Sequence, residues 1–93
     1  PHVIEFLEIL TGIKEQDLQL EEYMFNELKE DFKNKTIKEL DIRQNTGATV
    51  IGLKDPEKGF IFDPNSETII KKGDVLIVLG SHDSLKKFQM YCV

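Results

Sequence analysis

Helical and strand periodicities alternate along this 93-residue chain, and that alternation predicts an α+β domain. Three stretches carry the prediction. "PHVIEFLEILTG" repeats apolar residues at the helical period, "IIKKGDVLIVLG" reads as a turn feeding a central strand, and "SHDSLKKFQMYC" reads as a capped closing helix.

Taken in order, Val3, Phe6, Leu7, Leu10 and Ile13 form the apolar stripe of the first helix. Pro1 suits its first turn and Gly12 its C-terminal cap. Ile4 and Ile9 widen the stripe, as in a helix that packs on two neighbours or on another subunit. Residues 18 to 32 fit two periods. Leu18 and Leu20 alternate like a strand, Tyr23 and Phe25 take the opposite parity, and Met24, Leu28 and Phe32 also fit a helix. A strand to about Asn26 followed by a charged loop is the expectation.

"NKTIKEL" reads as a short helix, with Thr36 and Glu39 at capping-box spacing and Ile37 and Leu40 inward. "ATVIGLKD" reads as a strand, with Thr49, Ile51 and Leu53 on one face and Ala48, Val50 and Gly52 on the other. "DPEKG" and "DPNSE" are turns around a short "FIF" strand. Val75 to Leu79 is the central strand, and Ser81 caps a helix with Leu85, Phe88 and Cys92 on one side.

Size and composition narrow the function. The length supports one core. No apolar run approaches the roughly 20 residues of a bilayer span, so a soluble fragment with no direct membrane insertion is expected. Twelve Lys and Arg against 17 Asp and Glu give a net charge of −5, without the basic stripe that nucleic-acid binding requires. No nucleic-acid partner is expected. A lone Cys92 forms no internal disulfide and builds no thiolate cluster. His2 and His82 lie in different terminal helices, and no nucleophile motif or Gly-rich phosphate loop occurs, so no catalytic residue is assigned. Glu21, Glu22, Glu27, Glu30 and Asp31 form no calcium loop and read as hydrated surface, so no metal is assigned. Opening with Pro rather than Met suggests a piece of something longer.

Arg43 stands out, because it sits at the threshold of the Gly52 strand, two residues after Asp41. In an extended segment the two side chains share a side, so an Asp41–Arg43 salt bridge is one reading. The other is an anion held by the planar guanidinium fork, with Ile37 offering apolar surface for a ring.

"NKTIKELDIRQNTGATVIGLKD" followed by "GFIFDPNSETIIKKGDVLIVLGSHDSLKKF" resembles the TrkA-C domain. This is the C-terminal half of the regulator-of-potassium-conductance (RCK) module. The matching features are the L-x-I-R, the TGA-x-V-I strand, the proline turn and, most diagnostic, "GDVLIVLG", in order over residues 34 to 88. "PHVIEFLEIL" is similar to the helix that joins the nucleotide-binding half to this one. The resemblance implies a small, mostly antiparallel sheet with flanking helices, paired about a two-fold axis. It implies a linker and dimerisation helix at residues 1–15, with Val3, Phe6, Leu7 and Leu10 at the dimer interface, and a regulatory domain at 16–93. It implies a homodimer or larger assembly that adjusts a potassium channel or transporter pore from the cytoplasmic face of the membrane. In part of the family the paired domains bind cyclic di-AMP. By position, Ile37, Asp41, Arg43, Ala48 and Thr49 are the ligand residues, Arg43 on phosphate, Ile37 on adenine, and Asp41 orienting Arg43 or meeting the base. Two positions depart from the pattern: Thr49 stands where ligand-binding members often carry Asn, and Asn34 replaces a Gly. The alternatives are a ligand-free assembly domain and the accessory domain of a small metabolic enzyme.

Overall fold

The computed structural model describes residues 2–62 and 64–93; Pro1, expected in a first helical turn, and Asp63, expected in the second turn, lie outside the described residues. The elements are α1 (His2–Thr11), β1 (Gln19–Met24), α2 (Ile37–Leu40), α3 (Ile42–Thr46), β2 (Thr49–Asp55), β3 (Gly59–Phe62), β4 (Val75–Gly80) and α4 (His82–Cys92). The strands form an antiparallel sheet in the order β1-β4-β2-β3, so the fold is the α+β class expected.

β4 is central because its residues are apolar throughout and need cover on both edges and both faces. It pairs Leu76 with Tyr23 of β1 and with Leu53 of β2. Leu76 and Val78 are fully buried, and α4 closes over them with Leu85, Phe88 and Cys92. The Phe88 ring lies 4.7 Å from that of Tyr23. Burial pushes the Cys92 thiol up to about 12. The Ser81 hydroxyl accepts from the Ser84 N–H at 3.0 Å and starts α4 as the cap spacing predicts.

The ambiguous segment resolves as a strand to Met24, two residues short of the expected end. Phe25 leaves the ladder: its N–H donates to the Asp74 carbonyl at 2.9 Å and it begins the 3₁₀ turn Phe25–Glu27. Phe25 is not a strand residue, and within β1 Leu20 and Tyr23 do take opposite faces, Tyr23 buried on the core side and Leu20 60% exposed. The charged loop that follows contains a second such turn, Glu30–Phe32.

The expected faces of β2 need correction. Val50 opposes Val78 and Leu53 opposes Leu76, with a register shift between Val50 and Gly52. Ile51 is the extra residue of a β-bulge, and beyond it the side-chain parity inverts. Val50 and Leu53 therefore share the core side, while Gly52 and Lys54 take the side of Ile77 and Val75. Gly52, beside the extra residue, is the one local hint of a bulge in "TVIGLKD"; the position of the extra residue depends on what the partner strand demands.

At one end of the sheet, Lys71 Nζ donates to Asp55 Oδ2 at 2.5 Å and to Asp74 Oδ1 at 3.1 Å. Both carboxylates are buried. Asp55 Oδ1 also accepts the N–H groups of Glu57 and Lys58 at 2.8 and 3.0 Å, which shapes the "DPEKG" turn. The Lys71 ammonium, then those two amides, hold the Asp55 carboxyl far below the usual carboxylate range. Among the α-helices of the described residues, α1 alone has no buried residue.

Candidate functional site

The site grows from a one-turn helix. The Thr36 hydroxyl accepts from the Glu39 N–H and the Glu39 carboxylate accepts from the Thr36 N–H, both at 3.1 Å. This reciprocal box, expected from the sequence, lets four residues hold a helical turn that is too short to persist alone. The Thr36 backbone N–H, and then its hydroxyl, pull the Glu39 carboxyl below its ordinary value. α2 then stops because Asp41 is left-handed, at φ 47° and ψ 45°. The chain turns at this elbow and restarts as α3.

Arg43 is thus helical, not extended, and the two-residue spacing no longer places it beside Asp41. Among the described residues the ion pairs are Lys33–Glu30, Lys71–Asp55 and Lys71–Asp74, so the Asp41–Arg43 salt bridge is not formed. Arg43 Nη2 instead donates to the Leu10 carbonyl at 3.4 Å. That carbonyl lies in the last turn of α1, where backbone oxygens lack helical partners and the helix dipole is negative.

α3 ends at Gly47, whose φ of 80° and tight approach to Ser84 suit only a residue without a side chain. The chain enters β2 directly behind the elbow. Ile37, Asp41, Arg43, Ala48 and Thr49 consequently line one open cleft of about 330 Å³. Ala48 is fully buried and forms its floor, while Asp41 and Arg43 are exposed at its mouth. Lys38, Ile42, Val50, Pro64 and Ser66 complete the lining. These five escaped the sequence reading. Pro64 and Ser66 come from the turn after β3, and nothing local ties that turn to α2. Lys38 and Arg43 against Asp41 give the cleft two cations and one carboxylate, the reverse of the chain's overall balance.

A second cleft of about 280 Å³ opens on the other side of Arg43, between Leu7, Leu10 and Thr11 of α1 and Thr49, Ile51 and Leu79 of the sheet. Arg43, Thr49 and Val50 line both clefts. Of the residues expected at a dimer interface, Val3, Phe6 and Leu10 are more than half exposed and Leu7 is half-buried.

The acidic residues considered for calcium do not converge. Among the described residues no group of three His, Cys, Asp or Glu is placed to hold a metal. Glu21 instead accepts from the Tyr23 hydroxyl and from Gln89 Nε2. Burial, then the bond to Glu21, push the Tyr23 hydroxyl up to about 12. His2 and His82 sit in α1 and α4, as expected. No helix of the described residues is long and apolar enough to cross a membrane.

Comparison with known proteins bears on the fold and the family. Potassium channel protein 1 of Methanocaldococcus jannaschii is 32% identical over 91 residues, which is 98% of this chain and 26% of that protein. The chain thus spans about a quarter of the relative's length. The RCK C domain of the potassium transport protein KtrA, solved in complex with cyclic di-AMP, superposes with a TM-score of 0.69 at 28% identity, covering 96% of this chain and 94% of that one. The RCK_C domain dimer of S. agalactiae BusR with c-di-AMP superposes with a TM-score of 0.68 at 27% identity, covering 81% and 90%. BusR has also been solved with its busAB-promotor DNA; that chain matches with a TM-score of 0.68 at 26% identity, covering 97% of this chain and 43% of its own length. The TrkA-C domain model matches residues 20–93, and the chain belongs to the TrkA-C domain family.

Proposed function

We propose that this domain is a non-catalytic regulator of a potassium channel or transporter, working as a dimer at the cytoplasmic face of the membrane. Cyclic di-AMP binds between two copies, in the cleft at the α2–α3 elbow. One observation carries the reading: five residues scattered over residues 37 to 49 line a single cleft with excess positive charge. Arg43 anchors a phosphate through its planar fork, Ile37 packs on a base, and Asp41 meets a base edge. The cleft is small for a whole dinucleotide, lying near the lower limit of about 300 Å³ for small-molecule sites, so one copy supplies half a site. A two-fold ligand suits an isologous interface that presents one Arg43 from each copy.

Mechanistically, the ligand acts only so far as it binds one arrangement of the two copies more tightly than the other. Arg43 connects the cleft to α1, so a phosphate that captures its guanidinium removes a bond from the end of that helix. With a net charge of −5, the domain acts without touching DNA. Calorimetric titration with cyclic di-AMP tests the proposal. It expects one ligand per two chains in the native protein and no heat from a folded Arg43→Ala variant. A dimer that takes up no ligand returns the domain to a pure assembly role.

A further inference from the structure

We propose that Tyr91, in the last turn of α4, is a positioning residue for the cleft, clamping the elbow between α2 and α3. This rests on the ligand reading above and extends it to residues remote from Arg43 in sequence. The Tyr91 hydroxyl donates to the Leu40 carbonyl at 2.9 Å, at the end of α2. It accepts from Asn45 Nδ2 at 3.0 Å, and the same amide group donates to the Asp41 carbonyl at 2.9 Å. One hydroxyl and one amide therefore grip both carbonyls that flank the turning point. The Asn45 N–H adds a further bond to the Asp41 carbonyl at 3.1 Å.

The elbow needs such a grip. Asp41 is a non-glycine residue at φ 47°, a conformation that persists only when its surroundings over-determine it. Ile37 lies on one side of it and Arg43 on the other, so the bend at Asp41 sets the spacing of the two walls of the cleft. The clamp is itself rigidly held. Phe32 meets the Tyr91 ring edge-on at 4.7 Å. Lys29 Nζ donates to the Met90 carbonyl at 2.8 Å, and the Lys29 N–H to the Cys92 carbonyl at 2.7 Å. Phe88 and Cys92 fix the inner side of the helix in the core. A site residue supported by a fixed second layer holds its geometry more closely than one on a free loop.

Tyr91→Phe keeps the ring and removes the hydroxyl. In the dimeric domain it is expected to preserve the circular dichroism spectrum and to weaken cyclic di-AMP binding by roughly five- to ten-fold, the loss of about one hydrogen bond. Asn45→Ala does the same, and the double variant is no weaker than the worse single, because the two groups act as a unit. Hydrogen exchange supplies a readout that needs no ligand: the amides of Asp41 and Asn45, bonded to the Ile37 and Asp41 carbonyls, exchange faster in Tyr91→Phe while those of β4 do not. Unchanged exchange and unchanged affinity in Tyr91→Phe overturn the clamp. If the native domain takes no cyclic di-AMP, the ligand reading fails, and the exchange rates alone decide whether Tyr91 holds the elbow.

Discussion

The guanidinium of Arg43 and the carbonyl of Leu10 meet at 3.4 Å across 33 residues of chain. The contact joins a cleft that suits an anion to a helix that is otherwise held by little. Arg43→Ala is expected to lower stability by no more than about 1 kcal/mol, the value of one exposed bond to a helix end. It is expected to speed exchange of the Gly12 amide, which closes α1 through the Glu8 carbonyl at 2.8 Å. Saturation of the native protein with cyclic di-AMP should speed the same amide. If ligand slows it instead, α1 and the phosphate do not compete for Arg43.

Acid should find the Asp55–Lys71–Asp74 cluster. A carboxyl whose folded value lies below its unfolded one stabilises the protein above the unfolded pKa of about 4, and that contribution drains away as the pH falls toward the folded value. Thermal midpoints of the native protein are therefore expected to fall steeply below pH 4. Asp55→Asn lowers the midpoint at pH 7 and flattens that acid limb. A variant with the same acid slope as the native chain would place the titration elsewhere.

Gly47 tests the junction between α3 and β2. A Cβ there meets the Ser84 hydroxyl oxygen at 2.7 Å, and φ is 80°. Gly47→Ala is expected to cost about 1–2 kcal/mol from the left-handed conformation alone, with the contact in addition. Urea unfolding of Gly47→Ala with Ser84→Gly should recover the contact and not the conformational share. Full recovery would mean that the backbone relaxes freely.

The apolar surface of α1 should pair. Phe6 is 58% exposed and Val3 68%, large side chains to leave in water. Sedimentation at high micromolar concentration is expected to give a dimer or larger for the native chain. Phe6→Glu should weaken association by about ten-fold or more, the usual effect of losing a central aromatic contact. A native chain of strictly monomeric mass removes α1 from the interface.

What could be read in advance follows from interaction range. The Thr36–Glu39 box, the Ser81 cap, the Gly12 stop and the patterns of β4 and α4 all arise within a few residues and stand as expected. The α1 period holds to Leu10, while Ile13 falls beyond the helix end at Thr11. Phe25 looked like a strand residue because the Asp74 carbonyl that takes its N–H lies about fifty residues later in the chain. The parity of β2 was misread at Ile51 for the same reason. The five residues assigned to the ligand by motif do gather in one cleft, while Pro64, Ser66 and Tyr91 carried no signal that joined them to it.

By itself, then, the sequence determined the identity and ends of most elements, since propensity, caps and turn chemistry act along the chain. Only the tertiary structure decided which partner Arg43 takes, where β2 inserts its extra residue, and how Asp41 is held in a left-handed bend. Each of those is a choice between local conformations of similar energy. A few bonds from Leu10, Val78 and Tyr91, all distant in sequence, suffice to select one.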